Sequence, residues 1–555
     1  MRQTGGVRRF EPSHRVRIRS NGSLDNGSCN KYLANMALNY GSIALYMIEI
    51  TITYYFLLGI YNVYFHPLRH YPGPVLWRFS PVPKNIYLLT GRYAAKAREI
   101  HETYSGAVRV APNELSYIQP QAWKDILGRP LKSEMAKDIR FFGGENFGRD
   151  SLVTTTPEDH TRQRRIFTHA FSNTALKAQE PLLVNYADQM IEAMGALAER
   201  QHQQAHDGEG ESDGLGSVNI VDLYNFATFD IMADLTFGEP LLLLKRGDYT
   251  PWVRNVFAGL KFVIYGLVFL EIPVLGPLVQ AVTSAPLKKK AQEHTDFAGQ
   301  LVDRRLRERQ AHPKPDIWSF VLKHNDGGSD DDRVKSNEKG LSDREMHANA
   351  AMFMVAGTET SGTVLSGTTY YLLRNPRVYD ILTREIRAAF ARTEDICVDG
   401  LVRLEYLTAV LMEGLRLYNP GGAGMPRIVP RGGAEVYGEY IPEGTLVSVN
   451  PYSAFTNPEN WARPNEFVPE RWIHTDAPEW KDDKRDVHEP FSYGPRNCLG
   501  KNLAWLELRL LLAKTLWHYD LALCPGMKSW VEQRNYITWE KGPLMVKLKP
   551  VQRDG

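Results

Sequence analysis

Ten residues near the C-terminus, 491–500 with the sequence F-S-Y-G-P-R-N-C-L-G, constrain this chain more than any other stretch. They set one cysteine, Cys498, between Gly494 and Gly500, which allow tight turns that aim amide N–H groups at the sulfur. The apolar run over 503–512 predicts a helix that starts just past the cysteine, so its N-terminal dipole also favours a negative sulfur. A thiolate held this way is a metal ligand. A cysteine taken by itself is more often an ordinary buried thiol, and it is the whole decapeptide that favours ligation.

The pattern Phe491-x-x-Gly494-x-Arg496-x-Cys498-x-Gly500 resembles the heme-binding loop of the cytochrome P450 family. The resemblance implies heme b with Cys498 as axial thiolate and Arg496 reaching a propionate. Thiolate ligation pushes electron density toward a trans-bound oxygen and favours O–O cleavage. The fold it implies is mainly α, a large helical domain with a smaller β-rich part, behind an N-terminal transmembrane helix.

Three further landmarks follow the family's order. The first lies between a capping-box pattern, Ser342-x-x-Glu345, and Asn375-Pro376, which together predict one helix of roughly 30 residues and about 45 Å. Gly357, Gly362 and Gly367 weaken it, each by up to about 1 kcal/mol relative to alanine. By resemblance this is the distal helix, widened near Gly357 to admit dioxygen, with Glu359 and Thr360 as an acid and alcohol that relay protons. Back-bonding of the hydroxyls to preceding carbonyls is the plain alternative.

The second landmark, Glu413-x-x-Arg416, puts opposite charges on one helical face. Exposed, such a pair contributes only about 0.3–0.5 kcal/mol. The third, 467–472 (F-V-P-E-R-W), gives it meaning, because the resemblance implies that Arg471 joins Glu413 and Arg416 in a buried network. A weaker match places His160 and Arg164 one helical turn apart, both suited to a propionate, with Arg162 and Arg165 on a solvated face. Arg427 occupies the place of another propionate contact.

Residues 32–65 are aromatic and aliphatic with Glu49 as their only charge. About 20 apolar helical residues cross a bilayer, so this segment reads as a transmembrane anchor, with Glu49 costing roughly 3 kcal/mol at mid-membrane. A proline-rich hinge over 66–85, including Pro72 and Pro74, leads to a catalytic domain over 86–555. The basic extension 1–31 sends opposing signals. Its arginines (Arg2, Arg8, Arg9, Arg15, Arg17, Arg19) favour a cytosolic tail by the positive-inside rule, whereas sequons at Asn21 and Asn26 matter only in the lumen. Arginine-rich, acid-poor tails also suit mitochondrial presequences. The family resemblance favours a single-pass endoplasmic reticulum protein whose catalytic domain faces the cytosol.

Four cysteines (Cys29, Cys397, Cys498, Cys524) without C-x-x-C spacing argue against a zinc site and suit a reducing compartment. A formal charge of +2 gives no case for nucleic acid. Helices are predicted over 181–200, 221–237 and 287–309, and strands over 107–110, 435–438 and 445–449, with polar loops at 201–217 and 324–340. The tract 262–270 is too short to span a membrane and reads equally as core or as a lipid-dipping segment.

No dinucleotide-binding fingerprint is present, so electrons from NADPH are expected through a separate NADPH-cytochrome P450 reductase, with cytochrome b5 as a further partner. Together with the cysteine loop, 419–433 and the distal segment around H-A-N-A-A-M-F-M-V-A-G-T-E-T-S resemble fungal monooxygenases of secondary metabolism, including trichothecene hydroxylases. That implies hydroxylation or epoxidation of a lipophilic terpenoid or polyketide. Substrate contacts are expected in 120–150, in 257–275, at Phe353 and Met354, and in 422–425. Two alternatives are a reductase-independent isomerase or dehydratase, disfavoured by Glu359 and Thr360, and a non-enzymatic heme carrier or sensor.

Overall fold

A computed structural model describes residues 26–130, 133–138, 140–141, 150–206, 216–271, 275–308, 314–326 and 340–552. The arginines of the N-terminal extension, the Asn21 sequon, most of both polar loops and residues 142–149 of the expected substrate region lie outside these.

Two compact units are present, Met1–Tyr61 and Asn62–Gly555. The helix Asn26–Tyr64 covers 39 residues, of which all but the last three belong to the first unit. Its large apolar side chains from Ile43 to Leu57 face outward, Leu45 at 68% exposure. Among the described residues no helix is long and apolar enough to cross a membrane. Asn, Ser and Thr side chains together with Glu49 interrupt the apolar stretch.

The second unit is built round the helix Ile220–Phe237, which is buried all round and therefore central. Asn219 caps its start by accepting the Val221 N–H, and Gly238 ends it in the left-handed region at φ +75°. It packs on the helix Asn173–His206 and on the helix Glu359–Arg374. The first of these starts before Pro181, where the sequence suggested a beginning, because Ala175 and Leu176 are buried in the same core and extend the helix across the proline.

The expected single helix over 342–375 is two, Asp343–Ala356 and Glu359–Arg374, interrupted at 357–358. Ser342 and Glu345 form the capping box as the sequence indicated. At the interruption, a Cβ on Gly357 would lie 2.7 Å from the Met232 sulfur of the central helix. The carbonyl of Thr358 also accepts the Thr228 hydroxyl at 3.2 Å, which ties the break to the core.

The β-rich part holds a five-stranded sheet in the order β1 (Val108–Ala111), β2 (Glu114–Tyr117), β8 (Leu446–Val449), β5 (Arg427–Ile428) and β3 (Ala136–Lys137). Only β2 and β8 run parallel. A three-stranded sheet joins β4 (Ser217–Asn219), β10 (Met545–Pro550) and β9 (Tyr519–Leu523). A hairpin pairs β6 (Ala434–Val436) with β7 (Glu439–Ile441), and Tyr437 and Gly438, both at positive φ, form its turn. The strand expected over 435–438 is thus half strand and half turn. The tract 262–270 lies inside the helix Pro251–Glu271, here called the roof helix, with Ile264, Leu267 and Val268 buried against Trp77, Leu88 and Tyr536.

Candidate active site

Cys498 follows a 3-10 turn, Gly494–Arg496, and its N–H donates to the Phe491 carbonyl at 2.9 Å, closing the loop. Gly494 sits at φ +77°, and a Cβ there would lie 2.0 Å from the Leu127 carbonyl oxygen, so only glycine fits. Gly500 serves differently from the expected tight turn. Its φ of −83° is ordinary; it caps the helix Lys501–His518 and gives its N–H to the sulfur. The Phe491 ring packs on Trp505 at 6.0 Å, with the Lys501 ammonium 5.7 Å from its centroid.

Although Cys498 as a residue is exposed, the surroundings of its thiol push its pKa up. Burial outweighs the Gly500 N–H and the charges of Arg164 and Lys501, all of which favour the thiolate. A cation bound at this sulfur would act in the opposite direction and favour the thiolate.

Arg164, on the helix Pro157–Ala170, donates to the carbonyl and side-chain oxygens of Asn497 at 2.7 and 2.5 Å. It braces the residue before the cysteine. Arg162 is not on a solvated face: it pairs with Asp159 at 2.9 Å and with Glu345.

Arg427, Arg496 and Lys137, with a neutral His160 beside them, form a basic pocket. Pairing of β3 with β5 sets Lys137 opposite Arg427. Arg496 donates to both oxygens of Glu134, at 2.7 and 2.6 Å. Burial, with the charges of Arg496 and Arg427, pulls Lys137 down to about 7, where its ammonium donates to the Val153 carbonyl at 2.6 Å. Burial followed by Arg496, Lys137, Arg164 and Arg427 pulls His160 down to about 3. Arg427 is lowered to about 10, chiefly by burial. The Glu134 carboxylate acts against the lowering of both Lys137 and Arg427. His160 Nδ1, Arg427 Nε and one terminal nitrogen of Arg496 are buried without partners. Buried donors left open among basic side chains fit anionic oxygens, and heme b carries two propionates.

At the helix interruption, Thr360 Oγ1 donates back to the Ala356 carbonyl at 2.7 Å. Glu359 is buried, and its Oε1 takes Lys541, Thr538 at 3.4 Å and Thr363 at 3.5 Å, while Oε2 has no partner. Ser361 donates to Glu507 Oε2 at 2.8 Å. Burial pushes Glu507 up to about 8, against the Ser361 hydrogen bond.

Glu413, Arg416 and Arg471 are fully buried. Glu413 accepts Arg416 at 2.9 and 2.8 Å, Arg471 at 3.2 Å, the Trp472 indole at 2.9 Å and the Val468 N–H at 3.0 Å. Asp483 completes the group by taking Arg471 at 2.5 Å. Two arginines now face two carboxylates, so charge balances inside, which the three residues visible as motifs would not achieve.

The family model for cytochrome P450 matches residues 72–548. The chain belongs to this family. It is 40% identical over 515 residues to the cytochrome P450 monooxygenase efuB of Hormonema carpetanum, covering 92% of this chain and 96% of the relative. The cytochrome P450 monooxygenase FUM2 of Gibberella moniliformis is 38% identical, covering 89% of this chain and all of the relative. A trichothecene C-4 hydroxylase of Trichoderma arundinaceum is 37% identical, covering 88% and 93%.

This cytochrome P450 is a monooxygenase that holds heme through a cysteine thiolate. Four of its site residues escaped sequence reasoning. Lys137 and Glu134 carry no motif and meet the pocket only through strand pairing and the cysteine loop. Asp483 stands 12 positions after Arg471 in a polar stretch. Lys541 comes from the C-terminal segment, 182 positions from Glu359. A demand for charge balance around Glu413, Arg416 and Arg471 would have called for a second acid, without saying which.

Proposed function

We propose that this monooxygenase inserts one oxygen atom from dioxygen into a lipophilic terpenoid or polyketide intermediate of fungal secondary metabolism, with NADPH electrons arriving through a separate reductase. The observation that carries the reading is the pairing of the Cys498 loop with a basic pocket in which His160 Nδ1, Arg427 Nε and one Arg496 nitrogen are buried without partners. Relatives named as monooxygenases and one named as a trichothecene hydroxylase support the biosynthetic setting.

Heme, when bound, supplies the activation of dioxygen. Cys498 would hold it, with the Phe491–Cys498 backbone bond and the brace of Arg164 on Asn497 keeping the loop in place. Arg427, Arg496, His160 and Lys137 would take the propionates. The break at 357–358 sets Glu359 and Thr360 at the start of the second helix. Thr360 would exchange its bond to the Ala356 carbonyl for a water, and Glu359 would take a proton from solvent at Oε2, the oxygen without a partner, and pass it to that water. The Glu413–Arg416–Arg471–Asp483 group holds the helix Glu405–Leu417 against the segment that leads into the cysteine loop.

The outward apolar side chains of residues 43–57 support a single-pass anchor in the endoplasmic reticulum, with residues 62–555 on the cytosolic side. A single span with a cytosolic catalytic domain puts the tail and its sequons at Asn21 and Asn26 in the lumen, so a mobility shift on glycosidase treatment is expected, and unchanged mobility counts against this orientation.

The deciding experiment is the reduced, carbon monoxide-treated spectrum of the expressed protein. A red-shifted Soret band that disappears in Cys498→Ser is expected, and a band that survives the substitution refutes the assignment. Thr360→Ala should keep that band while raising peroxide formed per NADPH consumed; unchanged coupling removes Thr360 from the relay.

A further inference from the structure

Residues 534–541 form a compact loop that touches two functional parts of the molecule. Within it, Glu540 N–H donates to the Arg534 carbonyl at 2.8 Å and Tyr536 N–H to the Thr538 carbonyl at 3.1 Å. An antiparallel bridge joins Asn535 to Trp539. Trp539 stacks on Tyr418 at 5.2 Å and donates to the Asn419 carbonyl at 2.7 Å, which pivots the loop on the core.

One side of the loop meets the roof helix. Tyr536 is buried with Ile264, Leu267 and Val268, and lies edge-on to Tyr265 at 6.0 Å. Lys261 pairs with Glu540 and stands 5.3 Å from the centre of the Tyr536 ring. The other side meets the distal helix Glu359–Arg374. Lys541 pairs with Glu359 and donates to Thr363 at 2.7 Å, and Thr538 reaches the same Glu359 oxygen at 3.4 Å. Glu540 and Lys541 are chain neighbours, so a shift of the roof helix that drags one must move the other. The position of one buried ammonium decides whether the Glu359 carboxylate is balanced.

We propose that this loop couples substrate seating to proton delivery: Lys541 is a positioning residue for the relay acid Glu359, and Lys261 with Tyr536 passes the position of the roof helix to it. A rigid lipophilic substrate lodged under the roof helix thereby sets the acid, and an empty or badly filled site leaves it unset. The inference rests on the reading of Glu359 as relay acid given above. Coupling of this kind is reciprocal, so a ligand under the roof helix must feel a change at Glu359.

The test uses full-length heme-loaded enzyme in microsomes titrated with clotrimazole, a bulky lipophilic azole, followed by the heme difference spectrum. An exposed pair such as Lys261–Glu540 transmits at most about fivefold in an equilibrium. Glu359→Gln is expected to change the clotrimazole Kd by about two- to fivefold in the otherwise native chain. That change should vanish in a Glu540→Lys background and return when Lys261→Glu restores the pair. The same factor in every background, or no effect in the native one, overturns the proposal. Should Glu359→Gln fail to load heme, Thr363→Val perturbs the same oxygen without removing a charge and replaces it in the cycle. A missing red-shifted Soret band, or unchanged coupling in Thr360→Ala, strikes the parent reading; a flat cycle with both intact strikes this inference alone.

Discussion

Replacing Glu413 with alanine tests the energetic core of the molecule. The carboxylate receives five hydrogen bonds, three of them from the guanidinium groups of Arg416 and Arg471, and all three side chains are fully buried. Burial alone would raise its pKa, but Arg416 and Arg471, aided by the Val468 N–H, hold it below the usual carboxylate range. The group's contribution is therefore complete above the unfolded carboxylate pKa and is lost only as pH falls through the lower folded value. Removing one partner of a buried pair costs about 3–5 kcal/mol. In Glu413→Ala two arginines remain with Asp483 as their only acid in the group, so the upper end, about 5 kcal/mol, applies. Arg416 keeps the carbonyls of Phe455, Pro464 and Glu466, which is why the cost is not the sum of every lost bond. Whole-domain stability is about 5–15 kcal/mol, so the expected result is chain without heme. The assay is the carbon monoxide difference spectrum relative to total chain by immunoblot. Glu413→Gln should fare little better, since its amide NH2 sets a donor against donors. A Glu413→Ala holoenzyme at native yield, with an unchanged thermal midpoint, would refute the reasoning.

Three other outcomes are expected. Glu507, raised to about 8 by burial, binds a proton in the folded chain that the unfolded chain has released above about pH 4.5, so stability should fall by about 1.4 kcal/mol per unit between those values. Glu507→Gln should flatten that slope and raise the thermal midpoint more at pH 8 than at pH 5; an identical slope in both proteins contradicts it. Gly494→Ala forces a Cβ to 2.0 Å from the Leu127 carbonyl oxygen at a positive φ and should abolish heme incorporation, read by the same spectrum. Lys137→Met should speed heme loss to an excess of apomyoglobin about tenfold, in line with a lost charged hydrogen bond of roughly 1.5 kcal/mol, and an unchanged rate removes Lys137 from the propionate set.

Local chemistry makes the capping box at Ser342 and Glu345 and the start of the helix after Cys498 legible in the residue order, because each depends on residues a few positions apart. The same local view fails at 357–358. Gly357 and the family resemblance point to a weakened, widened helix there, but the full break lies at a contact with Met232 and Thr228 on another helix. It fails again at Arg162, whose partner Glu345 lies 183 positions away.

What the sequence determined by itself is the chemistry. A cysteine between two glycines, an acid beside an alcohol, and the Glu413 and Arg416 pair are each written within a few residues, and their order along the chain identifies the family. What only the tertiary structure decided is the electrostatic company those groups keep: Asp483 beside Arg471, Lys137 beside Arg427, and Lys541 on Glu359. The reason is that buried charge must be balanced across space. Coulomb attraction in a low-dielectric interior acts between whichever chain segments packing brings together, and nothing in the order of residues names that partner in advance.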